Sequence, residues 1–236
     1  MKSSVYFDPE EQRIVWDSIA KGWAGWRNKE RRDIVTFSKD WKPEKILDIG
    51  CGNGRNLLYF AKRGFEVYGL DFSKEMIEQA KEMFKKNKIE IKEKQLIVAD
   101  MRNIPFKNES FDYIISVASF HHLPKKDHQE AIEEIKRVMK RNGECIISVW
   151  NKYSFKRIGF WFCPKEVFID WKKKEIEEVK VGNETKRKER VRIYKRYYYL
   201  FSYEEMKNLL LKNGFEIKKA SGRFDENIIF LVKNKQ

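Results

Sequence analysis

The stretch from Lys45 to Phe60, KILDIGCGNGRNLLYF, constrains this chain more than any other. A short apolar run ends in Gly50, Gly52 and Gly54 and passes directly into a helix-forming segment. A strand that enters a glycine turn and then a helix opens a parallel α/β unit. It brings backbone N–H groups close to a ligand at the helix N-terminus. Asp48, two residues before the first glycine, does not fit the usual occupant. A carboxylate there would repel the phosphate that such turns often receive. The spacing agrees, because the dinucleotide fingerprint G-x-G-x-x-G would need glycine at 55, where Arg55 stands.

Strand and helix signals alternate from about residue 44 to 150, the pattern of a parallel sheet covered by helices on both faces. Runs rich in β-branched residues predict strands over 45–49, 66–70, 95–98, 111–117 and 144–149. Helices are predicted over 55–62, 74–87 and 128–140, with Ser73 capping the second and Asn142-Gly143 ending the third. After Val149 the rhythm breaks. Residues 151–200 are long for a connection in a compact domain and read as a functional insertion. A helix near 202–212, capped by Ser202 and stopped by Gly214, then leads into strands over 215–220 and 227–233. The turn-rich SGRFDE joins these two strands as a hairpin at the sheet edge. The expectation is one α/β, Rossmann-like domain over 1–236, with a mostly parallel seven-stranded sheet and an antiparallel C-terminal hairpin strand. Residues 1–43 would form a helical cover over the substrate and cofactor.

Two further acids follow strands. Asp71 closes the second, where it can accept both hydroxyls of a ribose. Phe72 can cover one face of an adenine, and Asp100 or the Met101 N–H, after the third strand, can read its edge. Acids at three successive strand ends suit a ligand with an ammonium and a sulfonium but no phosphate, which is S-adenosylmethionine.

The run from Glu44 to Lys233 resembles the class I S-adenosylmethionine-dependent methyltransferases. The resemblance implies a cofactor site made of Asp48, Gly50, Cys51, Gly52, Asn53, Asp71, Phe72, Asp100, Met101 and Val117, and no metal. Within that class, FDYIISVASFHHL, RVMKRNGECIISVWN and RYYYLFSYEEMKNLLLKNGFEI look like the transfer RNA methyltransferases that esterify 5-carboxymethyluridine at the wobble position. KEVFIDWKKK resembles that family's D-V-x-V-P-W-K segment, and SIAKGWAGWRNK its I-A-x-x-F-x-x-x-R element. The sequence departs from the pattern where Asp170 replaces the proline before Trp171 and Arg141-Asn142-Gly143 replaces Pro-Gly-Gly. The likeness implies that Arg27 grips the substrate carboxylate while His121 or His122 donates a hydrogen bond. It implies substrate contacts from Trp150, Asn151, Trp171, Arg196, Tyr197 and Tyr198. It also implies a partner, a small zinc-binding activator along the sheet edge.

Composition bears on the substrate. Lys and Arg number 50 against 36 Asp and Glu, a net charge of +14, and six units of that excess lie in residues 172–196. Tyr194, Tyr197, Tyr198 and Tyr199 interleave with this stretch or follow it, and a basic groove with aromatic stacking surfaces is a common means of holding an anticodon loop. Cys51, Cys145 and Cys163 form no C-x-x-C pair, which points to a reducing cytoplasm. No run reaches the roughly 20 apolar residues of a membrane span, and MKSSVYFDPEEQ lacks the apolar centre of a secretory leader. Two other readings stand beside this one. NIPFKNESFDYII resembles the matching segment of quinone and sterol methylating enzymes, and a non-catalytic RNA-binding relative would keep the same fold.

Overall fold

The computed structural model describes residues 6–181 and 184–235. Its framework is a seven-stranded sheet in the order β3-β2-β1-β4-β5-β9-β8. The strands are β1 (Lys45–Ile49), β2 (Glu66–Asp71), β3 (Leu96–Val98), β4 (Phe111–Val117), β5 (Met139–Trp150), β8 (Phe215–Ala220) and β9 (Asn227–Asn234). β1 to β5 run parallel, and β9 lies antiparallel between β5 and β8. The chain builds β1, β2 and β3 outward in one direction, then returns to place β4 on the other side of β1. Ligands of such sheets bind beyond the carboxyl ends of the strands at that reversal.

Alternating side chains split the core into two layers. Leu47, Ile49, Ile114 and Ile147 face α5 (His128–Val138) and α6 (Tyr203–Lys212). Ile46, Ile115 and Ile146 face α3 (Arg55–Ala61) and α4 (Lys74–Lys86). Ser73 caps α4 by accepting from Met76 N, and Ser202 caps α6 by accepting from Glu205 N. One prediction fails at α5. The helix stops at Val138, and Asn142-Gly143 forms a bulge within β5, opposite the register shift between Phe111 and Tyr113 of β4. A Cβ at Gly143 would lie 3.0 Å from Asp112 O, so a larger residue would push the two strands apart.

Two additions frame the site. α1 (Pro9–Trp26) and the short α2 (Arg32–Phe37) precede the sheet. Beyond β5, a 3₁₀-helical segment (Phe155–Trp161) leads into a ribbon of two antiparallel strands of 16 residues each, β6 (Glu166–Val181) and β7 (Glu184–Tyr199). The base of β7 enters the main core through Tyr197 and Tyr199. Gln12 fastens α1 to it, donating from Nε2 to Lys195 O at 3.1 Å and accepting from Tyr197 N at 2.8 Å. No described helix is long and apolar enough to cross a membrane.

Candidate active site

At the carboxyl ends of β1 to β4, roofed by α1, lies a cavity of about 1220 Å³, part of it open to solvent. One wall is the glycine turn. Gly50 has φ +73°, and a Cβ there would fall 2.3 Å from Ser119 Cβ, so only glycine lets the turn close on the β4 loop. Ser119 in turn donates to Ile49 O at 2.8 Å. Gly52, with φ +53°, has open space where a Cβ would stand. Its N–H donates to Asp71 Oδ2 at 2.9 Å, and Ser73 N donates to Asp71 Oδ1 at 3.0 Å. The Asp71 carboxylate is thereby locked at the cavity edge with lone pairs to spare. Burial pushes it up to about 6, against the pull of those two N–H groups. Asp48 lies beneath the turn rather than on the wall. Burial and then the neighbouring Asp71 carboxylate push it up to about 8, while Arg55 opposes them.

The opposite wall is aromatic and cationic. Trp16 and Trp23 come from α1 and Arg27 from its C-terminal cap, Trp150 from the end of β5 and Tyr198 from β7. The Arg27 guanidinium lies 3.5 Å from the Trp23 ring centre, and Arg196 lies 5.5 Å from the same ring. Arg196 also donates to Tyr198 OH at 2.8 Å. Burial lowers the affinity of both guanidiniums for their protons, and neither forms an ion pair among the described residues. Between the walls sit the two histidines, in opposite tautomers. His121 Nδ1 accepts from Trp150 N at 3.1 Å, which leaves its proton on Nε2. His122 Nδ1 lies 2.9 Å from Tyr197 O, an acceptor, so its proton is on Nδ1. Burial holds both neutral, pulling His121 well below the usual range and His122 down to about 3.

Fourteen of the residues expected from sequence line this cavity together: Arg27, Gly50, Cys51, Gly52, Asn53, Asp71, Phe72, Asp100, Met101, Val117, His121, His122, Trp150 and Tyr198. Five do not. Asp48 is buried behind the turn, and Arg196 and Trp171 stand behind Trp23, with Trp171 at 5.5 Å from its ring. Asn151 holds the β8–β9 turn through Arg223 O and Asp225 O, each at 2.9 Å. Tyr197 belongs to the core. The picture of Tyr197, Tyr198 and Tyr199 as exposed stacking surfaces is therefore corrected, since each is at most 1% exposed. Sequence alternation along β7 cannot reveal that its base is swallowed by the sheet's helical layer. Asp100 is engaged by Arg102 at 2.6 Å, and Arg102 also reaches Asp127 at 2.8 Å. Sequence reasoning missed Trp16, Trp23, Arg31 and Asn56, which line the cavity but follow no strand-end rule. Trp16 and Trp23 are spaced seven apart in α1, a signal that one helical face is covered.

The acid wall fits S-adenosylmethionine on its own chemistry. Both Asp48 oxygens are buried without a hydrogen-bond partner among the described residues, so the site is short of a cation. The open space over Gly52 admits a ligand against the turn, and Asp71 offers paired acceptors beside it. Among the described residues no group of His, Cys, Asp and Glu could hold a metal ion.

Comparison with known proteins agrees with this geometry. Residues 47–147 match the family model described as a methyltransferase domain. An uncharacterized Methanocaldococcus jannaschii protein, MJ1252, is 33% identical over 216 residues, covering 88% of this chain and 77% of its own length. The tRNA (carboxymethyluridine(34)-5-O)-methyltransferase of Arabidopsis thaliana is 32% identical over 154 residues, covering 63% of this chain. This chain spans only 35% of that relative. In fold it is similar to the 1,6-didemethyltoxoflavin-N1-methyltransferase of Burkholderia thailandensis, solved with S-adenosylhomocysteine, with a TM-score of 0.64 at 15% identity over 99% of this chain and 93% of that one. With a glycine turn, strand-end acids and sheet order all of one kind, the chain belongs to the class I S-adenosylmethionine-dependent methyltransferases.

Proposed function

We propose that the protein esterifies the carboxylate of 5-carboxymethyluridine at the wobble position of transfer RNA. The observation that carries this reading is the Arg27 guanidinium, which lines the cavity opposite the acid wall on the Trp23 indole, with Arg196 behind the same ring. A half-buried cation without an ion-pair partner among the described residues favours an anionic substrate. A quinone or sterol ring has no charge to offer it. Likeness to the Arabidopsis enzyme supports the choice of this particular carboxylate.

The residues divide the work as follows. Asp71 holds ribose hydroxyls, Phe72 and Met101 flank the base, and Asp48 complements the amino-acid end from beneath the turn. When bound, S-adenosylmethionine supplies an electrophilic methyl group, which a nucleophile already ionised can take without help from a base. A carboxymethyl group ionises at roughly pH 4, so no residue need remove a proton. Arg27 grips the carboxylate as a fork and aims its oxygen. His121, neutral and carrying its proton on Nε2, offers one hydrogen bond without adding charge. Trp16, Trp23 and Tyr198 exclude water from the carboxylate. The basic ribbon, with six excess positive charges in residues 172–196, holds the phosphates of the anticodon loop. The same reading includes a small zinc-binding activator along the sheet edge and a cytoplasmic setting, in keeping with three free cysteines.

Mass spectrometry of nucleosides decides the matter. Transfer RNA carrying the free acid is incubated with the protein and S-adenosylmethionine, with and without a candidate activator. The expected product is the methyl ester at the wobble position; methyl transfer to a quinone, with the RNA left as free acid, would overturn the reading. Cofactor binding without transfer to any RNA would leave the non-catalytic relative.

A further inference from the structure

Burial of the β7 tyrosines leaves the question of what meets the bases, and the 3₁₀-helical segment answers it. Phe155 is 62% exposed and Phe224, in the β8–β9 turn, 45% exposed. Their rings stack 4.9 Å apart at 29°. The pair is held in place: Phe155 N donates to Phe224 O, and Trp161 Nε1 donates to Ser154 O at 3.1 Å. Lys152, only 6% exposed, donates its ammonium protons to the carbonyls of Phe160, Trp161 and Cys163 and so clamps the segment from below. From the same segment a run of near-parallel rings leads inward. Phe160 lies on Trp150 at 25°, Trp150 on Tyr198 at 21°, and Tyr198 on His121 at 22°. Arg157 caps Trp150 at 4.2 Å.

We infer that Phe155 and Phe224 form a stacking platform for an unpaired base of the RNA, beside the nucleotide that enters the cavity. This deepens the transfer RNA reading and rests on it. The pair is tied to the cavity-lining Trp150 through its neighbour Asn151, which donates to the carbonyls on either side of Phe224; two such exposed rings match the flat face of a nucleobase, and such stacking tolerates any base. Charge points the same way. Lys156 adjoins Phe155 and Arg223 adjoins Phe224; their exposed side chains pair with Glu226 and Glu204, and the phosphates on either side of a stacked base would take over these two cations.

The test uses an anticodon stem-loop RNA with 2-aminopurine next to the wobble nucleotide, titrated with the full chain. Stacking on the platform quenches its fluorescence. In the Phe155→Ala/Phe224→Ala variant the Kd should weaken by about tenfold to a hundredfold and the quenching should vanish. Phe155→Trp should retain both, and calorimetry with S-adenosylmethionine checks that each variant is folded. Wild-type affinity and quenching in the double variant would overturn the platform. So would binding to phosphatidylglycerol vesicles that the double variant loses while its RNA affinity stays unchanged. Because the readout is binding, the two proposals fail separately. Quenching by a wild-type protein that makes no ester sinks the esterification and keeps the platform. Ester formation at wild-type kcat/KM by the double variant does the reverse.

Discussion

Along the carboxyl ends of β1 and β2, burial pushes carboxyl groups upward, Asp48 to about 8 and Asp71 to about 6. Along α1 and β7, burial pushes guanidiniums downward, Arg27 and Arg196 alike. The same force, loss of water around a charge, acts with opposite sign on the two sides of one cavity, with Asp71 and Arg27 in its lining and Asp48 and Arg196 just behind it. Each wall is thus unsatisfied by itself and in need of a ligand of the other sign. A cationic donor against the acids and an anionic acceptor against the arginines would relieve both, so that binding does the work of bringing two reactants together.

The comparison breaks most readily on the acid side. Asp71→Ala removes a carboxylate that the turn holds ready for two hydroxyls, and S-adenosylmethionine affinity measured by calorimetry should fall by about a hundredfold or more. Retained affinity would mean that the acid wall is only a cap for α4. On the cationic side, Arg27→Ala should lower kcat/KM for carboxymethylated RNA by about tenfold to a hundredfold, with cofactor affinity nearly unchanged. Arg27→Lys should restore only part, since an ammonium cannot grip both oxygens.

Acidity sharpens the contrast. Below pH 8 Asp48 is largely protonated in the free protein, and a nearby ammonium favours its ionised form, so binding of the cofactor releases a proton. Affinity should therefore rise with pH, by up to about tenfold per unit below 8. Asp48→Asn should flatten the slope, and a slope that survives this change would assign it to another group. The smallest effects belong to the ribbon. Lys172→Ala and Lys195→Ala should each reduce the salt dependence of RNA affinity by about one ion's worth and leave cofactor binding alone.

The walls also differ in how far the sequence betrays them. β4 was readable to the residue, and Asp48, Asp71 and Asp100 stand where strand ends demand, because a strand, a turn and a helix are each local in the chain. The cationic wall joins Arg27 to Arg196 across the whole length of the domain, and no local rule brings them onto one ring. The ribbon was hidden for a different reason. Ile176, Val191 and Ile193 are exposed, so among the described residues beyond its base the ribbon does not show the apolar-in, polar-out alternation by which strands are recognised. Adjacency to a basic stretch made the tyrosines look like surface residues, whereas contacts distant in the chain bury them: Tyr197 on Phe7, Tyr198 on His121 and Trp150, and Tyr199 on His128 and Glu205.

The Gln12 side chain has a consequence beyond fastening a helix. Its amide is a peptide group on a short stem, and it bonds to β7 as a neighbouring strand would, one donor and one acceptor two residues apart. A long ribbon edge invites a foreign chain to add itself, and at the foot of β7 that invitation has been declined by a single glutamine. Two edge groups that a foreign strand would need are thus already taken by a fragment of imitation backbone, from a residue that also lines the cavity.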